Sequence, residues 1–320
     1  MSDKTKIVYF GSSEFSAKVL EDLALSKQFT VQTVFTQPDR PYGRKKILKA
    51  PPVKEVALKF GLPVEQPISM KKLAPLYQLR EINPDFGVVV AYGQILPQRI
   101  LDTARFSFLN GHASDLPRWR GAAPMERCLI EGDKQTAMSI MDMTAGLDEG
   151  DVLLKEVFKI QSDWTIRELS QYMQKSCSKL LLEVLYKKGR FDETRVKQSD
   201  LGISYAAKLN RKDAYVNFEQ SGDQIFNQWR ALRDHYGLVF GWKGKKLIVW
   251  DLKWIPTNSN TKPGKILTDS KDHLSLELNG GFFNFLEIQL EGKRRMPVKQ
   301  FLKGSVIREG DFLQAYEEQN

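Results

Sequence analysis

From its first residues the chain alternates between short, continuously apolar runs and longer stretches whose apolar residues recur every three or four positions. Lys6–Gly11 (KIVYFG) is an apolar run that stops on glycine. In SEFSAKVLEDLAL, which follows, Phe15, Val19, Leu20 and Leu23 keep helical spacing. The pattern predicts a strand, a tight turn and a helix whose free N–H groups face the strand's carboxyl end. Phe29–Thr36, Asp85–Gly93 (DFGVVVAYG) and Phe106–Ser114 (FSFLNGHAS) read as further strands, and LPVEQP as a short one. PPVKEVALKFG reads as a helix with prolines at its start and glycine at its stop, and APMERCLIEG is also helical. TAMSIMDM and VLLKEVFKI are two more strands, joined by TAGLDEGD. Over Thr165–Lys188 the apolar face Ile166, Leu169, Met173, Cys177, Leu180, Leu181, Val184 and Leu185 predicts one long helix. Strands that are apolar throughout are buried on both faces, so the expected class is α/β, a doubly wound, mostly parallel sheet covered by helices. Sites in such sheets lie outside the carboxyl ends of the strands, where Gly11, Tyr92 and Asn110–His112 fall.

Near Gly189 the pattern changes. A polar stretch without strong periodicity follows, then a short helix, DQIFNQWRALR, and short β-like runs punctuated by Gly and Asn. These runs predict a small barrel or open sheet. The expected organisation is a catalytic domain over residues 1–189, a linker over 190–206 and a C-terminal β domain over 207–320.

Composition sharpens this picture in a few places. At 42% hydrophobic residues, the chain of 320 can bury a sizeable core. No run approaches the length of a membrane span, and MSDKTKIVYFG carries no signal or transit segment, so a cytoplasmic protein is expected. The net charge of +9 is concentrated in Thr36–Lys54 (TQPDRPYGRKKILKAPPVK), which holds six basic residues and one acidic. Such a loop favours a polyanionic partner only weakly by itself. Cys128 and Cys177 sit in helical patterns and suit packed, reduced thiols. Two separated cysteines and three scattered histidines give a zinc site little to build from, so no metal is expected. There is no P-loop, no G-x-G-x-x-G after the first strand, no EF-hand spacing and no G-x-S-x-G.

The remaining constellation is polar. Asn110 and His112 lie on one side of a strand end, because side chains alternate along a strand. Asp148, in the loop after a neighbouring strand, could reach the same crevice. An amide donor, an imidazole and a carboxylate suit acyl transfer to nitrogen, with oxyanion stabilisation and proton removal. The pattern alone favours a plainer reading, in which Asn110 caps a turn, His112 is a satisfied semi-buried residue and Asp148 is a turn former.

Five ordered blocks tip that balance. FTQPDRPYGR, PPVKEVALKFGLPVEQP, VVVAYGQILP, LNGHASDLPRWRGAAP and MDMTAGLDEGDVL together resemble the methionyl-tRNA formyltransferase family over nearly the whole chain. The resemblance implies a Rossmann-like formyltransferase domain followed by an OB-like barrel that helps hold tRNA. It implies formyl transfer from 10-formyltetrahydrofolate, a co-substrate, to the amino group of methionyl-initiator tRNA, by a monomeric enzyme without a metal. By the family's pattern, Asn110, His112 and Asp148 are catalytic. Ser114, Asp115, Leu116 and Pro117, with Tyr92, Ile95 and Leu96, contact the folate. Arg40, Arg44, Lys45, Lys46 and Lys49 form a tRNA-contacting loop expected to stay mobile until tRNA binds. The chain departs from the family at Gly111, where a β-branched residue is common, and at Asp115, where leucine is common. Both departures are expected to mark where its folate site differs, with the Asp115 side chain facing solvent. The rival readings are an amino-sugar-nucleotide formyltransferase, a formyltetrahydrofolate hydrolase, and an RNA-binding protein with an inactive core. The six-cation loop argues against the first two, and the intact Asn110, His112 and Asp148 against the third.

Overall fold

The computed structural model describes residues 4–43, 46–188, 190, 195–258, 262–267, 273–304 and 307–318. The chain divides into two compact units: residues 1–124, 135–160 and 169–207, and residues 125–134, 161–168 and 208–320. The first unit is built on a seven-stranded sheet. Its spatial order is Val152–Lys159, Gln135–Asp142, Ser107–His112, Phe86–Val90, Thr5–Gly11, Phe29–Phe35 and Val64–Glu65. The last five strands are mutually parallel, and Gln135–Asp142 and Val152–Lys159 close one edge antiparallel. The apolar runs are buried as their pattern demands: every residue of Phe86–Val90 is buried, and Ile7, Val8, Tyr9 and Phe10 are fully enclosed. On one face Phe10 stacks on Phe35 at 4.7 Å between ring centroids, with Tyr92 edge-on at 5.5 Å. Offset and edge-to-face aromatic contacts of this kind add to the burial of large apolar area.

The helix Glu14–Leu25 starts directly after the first strand, capped by the Ser13 side chain, which accepts the Ser16 N–H. Its first turn therefore lies beside the carboxyl ends of the parallel strands. The long helix Ile166–Tyr186 buries Leu169, Met173, Cys177, Leu180, Leu181, Val184 and Leu185, the stripe read from the sequence. The helix Leu73–Ile82 was not legible in the pattern. It buries Pro75, Leu76 and Leu79, and it ends on Asn83 in a left-handed conformation (φ 47°).

Two segments carry backbone pairing that hydropathy did not show. The basic loop includes a short antiparallel pairing of Arg40–Tyr42 with Ile47–Lys49. Its foot is fixed by Lys54, which donates to Asp39 (2.8 and 2.9 Å) and to Gln66 (2.8 Å). Hydrogen bonds from Gln66, joined by Lys54, hold the Asp39 carboxyl below its usual range. The second segment is the expected linker. Residues 195–207 belong to the first unit, where Val196 pairs with Val152 and Tyr205–Ala206 pairs with Arg120–Gly121. Backbone hydrogen bonding, which leaves no trace in hydropathy, holds this polar stretch down.

The second unit contains an antiparallel sheet in the order Ile266–Leu267, Ser275–Leu278, Gly281–Leu290, Lys245–Pro256, Leu238–Trp242 and Gln314–Ala315. Residues 310–315 join its two edges. Gln314 and Ala315 pair with Gly241 and Phe240, while Phe312 bridges Lys265 and the Ile266 N–H donates to Asp311 at 2.7 Å. The sheet thereby closes into the expected OB-like barrel, which removes its free edges. Phe240, Phe283, Phe285, Leu247 and Ile288 fill it, together with Trp229 and Ile225 of the helix Gly222–Leu232.

Candidate functional site

The strand Ser107–His112 ends at the carboxyl edge of the sheet, and its pleat turns Asn110 and His112 to the same face. The turn between Gln135–Asp142 and Val152–Lys159 carries Asp148 to them, with Asp148 in left-handed backbone (φ 50°). The Asp148 carboxylate is the centre of the cluster. Its Oδ1 accepts from Asn110 Nδ2 at 3.1 Å, and its Oδ2 accepts the Gly121 backbone N–H at 2.8 Å. Nδ1 of His112 lies 3.6 Å from the same Oδ2, and His112 Nε2 lies 2.9 Å from the Trp119 carbonyl oxygen. A carbonyl only accepts, so Nε2 carries a proton and donates it. The second ring nitrogen, Nδ1, then faces the carboxylate. Both side chains are shielded from water, with 6% of the His112 and 15% of the Asp148 side chain exposed. Asn110 Nδ2 has two hydrogens, and only one is needed by Asp148. The cluster can hold a carboxylate, move a proton across its imidazole and offer an amide N–H to a developing negative oxygen.

The segment Ser114–Pro117 follows immediately. Ser114 is fully buried: its hydroxyl donates to the Arg118 carbonyl and its own carbonyl accepts from the Ser139 hydroxyl, both at 2.7 Å. The Leu116–Pro117 peptide is cis. Asp115 is not simply turned to solvent, because Lys155 donates to it at 2.6 Å, with 31% of the Asp115 side chain exposed. Gly111 does not face this crevice. It points to the other side of the strand, where a Cβ would sit 2.6 Å from Cys177 Sγ and 3.4 Å from Met138 Cε and Val90 Cγ2. The absent side chain is a packing match to the long helix, so of the two unusual residues only Asp115 borders the site.

Tyr92 and Leu96 are buried in the cluster containing Phe10, Met70 and Phe108, while Ile95 is 73% exposed. Burial pushes the Tyr92 phenol above its ordinary range. The two buried side chains serve the core. The Tyr92 carbonyl already accepts from Ser12 Oγ (3.1 Å) and Gln37 Nε2 (3.2 Å). In the basic hairpin Arg40, Lys46 and Lys49 are exposed beside Ile47 and Leu48, which are 66% and 67% exposed. Arg44 and Lys45 lie outside the described residues. Gln198, Arg120, Lys155 and the Trp119 carbonyl are site elements that the sequence did not single out. None sits in a periodic pattern, and each acts through a contact between distant positions. Among the described residues no cluster of His, Cys, Asp or Glu could hold a metal ion, and no helix is long and apolar enough to cross a membrane.

Comparison with known proteins gives the family. Residues 5–185 match the family described as formyl transferase, and residues 208–306 match formyl transferase, C-terminal domain. The chain is 39% identical over 310 residues to a methionyl-tRNA formyltransferase of Caldicellulosiruptor saccharolyticus, spanning 96% of this chain and 99% of that protein. It is 36% identical over 308 residues to the one of Alkaliphilus metalliredigens, spanning 96% and 98%. Among solved structures, an N-formyltransferase from Helicobacter canadensis in complex with folinic acid and dTDP-3-aminofucose shares the fold. Its TM-score is 0.64 at 16% identity, over 92% of this chain and 100% of that one. With both family models matched in order and such identities held over nearly the full length of each relative, this chain belongs to the methionyl-tRNA formyltransferase family.

Proposed function

We propose that the chain transfers the formyl group of 10-formyltetrahydrofolate to the amino group of methionyl-initiator tRNA, with Asn110, His112 and Asp148 as its catalytic residues. The observation that carries the site assignment is the water-shielded Asp148 carboxylate, held by Asn110 and Gly121 and facing His112 Nδ1. The neutral methionyl amine attacks the formyl carbon. A C–N bond forms to the amine, the C–N10 bond breaks, and one proton passes from the amine to N10. Asp148 and His112 Nδ1 form the pair that accepts and returns this proton. The second Asn110 N–H supports the oxyanion. His112 Nε2 is committed to the Trp119 carbonyl in the free chain, so His112 acts here through Nδ1 and Asp148.

The folate lies along Ser114–Pro117, bordered by the 91–96 segment. The exposed cations of the hairpin Arg40–Lys49 contact tRNA phosphates, with the barrel as a second tRNA surface. The basic hairpin and the likeness to two methionyl-tRNA formyltransferases support this reading. The enzyme so proposed is monomeric and cytoplasmic. The test is incubation with 10-formyltetrahydrofolate and charged initiator or elongator methionyl-tRNA, with an amino-sugar nucleotide as rival acceptor. Formylation of initiator tRNA is expected. His112→Ala and Asp148→Asn should each lower kcat by about 10²–10⁴-fold, the range of acid–base assistance. Transfer to neither tRNA, or to the sugar nucleotide instead, refutes the reading.

A further inference from the structure

Residues 195–207 run as a strap across both loops that meet at the Asp148 carboxylate. On one loop, Val196 pairs through backbone with Val152, and Arg195 lies 3.0 Å from Asp142 and 3.8 Å from Asp151. On the other, Ser204 accepts the Trp119 N–H through its hydroxyl (3.0 Å) and the Arg120 N–H through its carbonyl (2.9 Å). The Ala206 carbonyl accepts from Ala122 at 2.8 Å. It passes so close to Gly121 (φ 122°) that a Cβ there would lie 2.8 Å away. Gly121 is the residue whose N–H binds Asp148.

Between these two attachments sits Gln198, 7% exposed. Its amide nitrogen donates to the Asp148 carbonyl at 2.8 Å and to the Gly150 carbonyl at 2.7 Å. Its amide oxygen accepts from Arg120 Nε at 3.0 Å and Nη2 at 2.8 Å. Every strong donor of the amide is thus used, and its acceptor is held by a buried guanidinium fork, which fixes which way the amide points. The strap is not held by apolar burial. Val196, Leu201 and Tyr205 are 64%, 83% and 62% exposed. What it contributes is directed hydrogen bonds, and two of them end on the turn that keeps Asp148 in left-handed backbone. A non-glycine residue stays there only where its surroundings hold it.

We propose that Gln198, oriented by Arg120, is a positioning residue for the formyl transfer. It fixes the turn that presents the Asp148 carboxylate to His112 and Asn110. The proposal rests on the assignment of Asp148 as catalytic. The test compares wild type, Gln198→Leu, Gln198→Glu, Asp148→Ala and Gln198→Leu/Asp148→Ala in steady-state formylation. Tetrahydrofolate binding by each full-length variant checks that its folate site is folded. A misplacement approaching 1 Å costs up to about 10²-fold in rate. Gln198→Leu should therefore lower kcat by roughly 10–100-fold, while KM for tRNA and for 10-formyltetrahydrofolate stays within about three-fold. Gln198→Glu keeps the acceptor for Arg120 but cannot donate to the two carbonyls, so it should lose at least as much. In the Asp148→Ala background, Gln198→Leu should have no further effect, because the group it positions is gone. Wild-type kcat in Gln198→Leu overturns the proposal. So does an equal loss with and without Asp148, which would make Gln198 a general support. Full activity in Asp148→Ala alone instead overturns the underlying assignment.

Discussion

Gly111→Ala tests whether the back of the catalytic strand is set by its packing against the long helix. The added Cβ would lie 2.6 Å from Cys177 Sγ, so the two atoms must separate by about 0.8 Å to reach ordinary contact near 3.4 Å. Both residues are held between strand and helix, and Cys177 is fully buried, so neither has free space to enter. Overpacking of this kind costs about 1–3 kcal/mol. Replacing glycine within a strand returns roughly 0.5–1 kcal/mol of backbone entropy. The net expectation is a loss of about 1–2 kcal/mol in urea unfolding of the full chain. Cys177→Ala should cost roughly 1 kcal/mol by removing one buried heavy atom. Burial holds the Cys177 thiol in its neutral form, so no charge is lost with it. In Gly111→Ala/Cys177→Ala the new methyl enters the space the sulfur leaves. The double variant should then be more stable than the sum of the singles by at least about 1 kcal/mol. Asn110 and His112 flank the strained position, so Gly111→Ala should also lower formylation kcat about ten-fold, and the double variant should recover most of it. Additivity of the two substitutions within about 0.5 kcal/mol would refute the reasoning, as would a kcat that Gly111→Ala leaves untouched.

The Asp115–Lys155 pair is half-exposed, so Asp115→Leu should change stability by no more than about 1 kcal/mol and kcat/KM by a few-fold. A fall beyond a hundredfold would instead place the carboxylate in the reaction. Lys46→Ala/Lys49→Ala on the basic hairpin should raise KM for tRNA and spare folate binding. It should also reduce the salt dependence of tRNA affinity by roughly one unit of slope for each phosphate that is no longer neutralised. An unchanged salt slope removes the hairpin from the tRNA surface. In the second unit, the hydrogen bond that His235 donates to the Glu126 carboxylate raises the pKa of His235 above its ordinary value, the two groups lying 3.5 Å apart. A raised folded-state pKa stabilises the fold below the unfolded value, and the gain disappears as pH rises through the folded value. His235→Gln should therefore lose stability at about pH 5.5 and match wild type at about pH 8.5, by less than about 1 kcal/mol since the ring is 45% exposed. A pH-independent difference would rule out the charged pair.

Local sequence was enough for the strands of the first unit, the long helix and the placing of Asn110 and His112 at a strand end. Each follows from hydropathy, which reports burial residue by residue, and from the alternation of a strand. The family resemblance was equally local, since ordered blocks such as LNGHASDLPRWRGAAP and MDMTAGLDEGDVL survive as strings. The reversed direction of Gln135–Asp142 was out of reach, because a strand's antiparallel course leaves no trace in its own residues. So were the closure of the barrel by residues 310–315 and the pairing of the basic loop as a hairpin. Gly111 and Gln198 illustrate the same limit at the site. One was read as a folate-site departure and the other as part of a linker. Whether a missing Cβ makes room for a ligand or for Cys177, and whether a polar stretch hangs free or spans the Asp148 turn, is settled by atoms far apart in the chain. Those atoms come within contact distance only when the chain is folded, because packing and hydrogen bonding act between neighbours in space rather than in sequence.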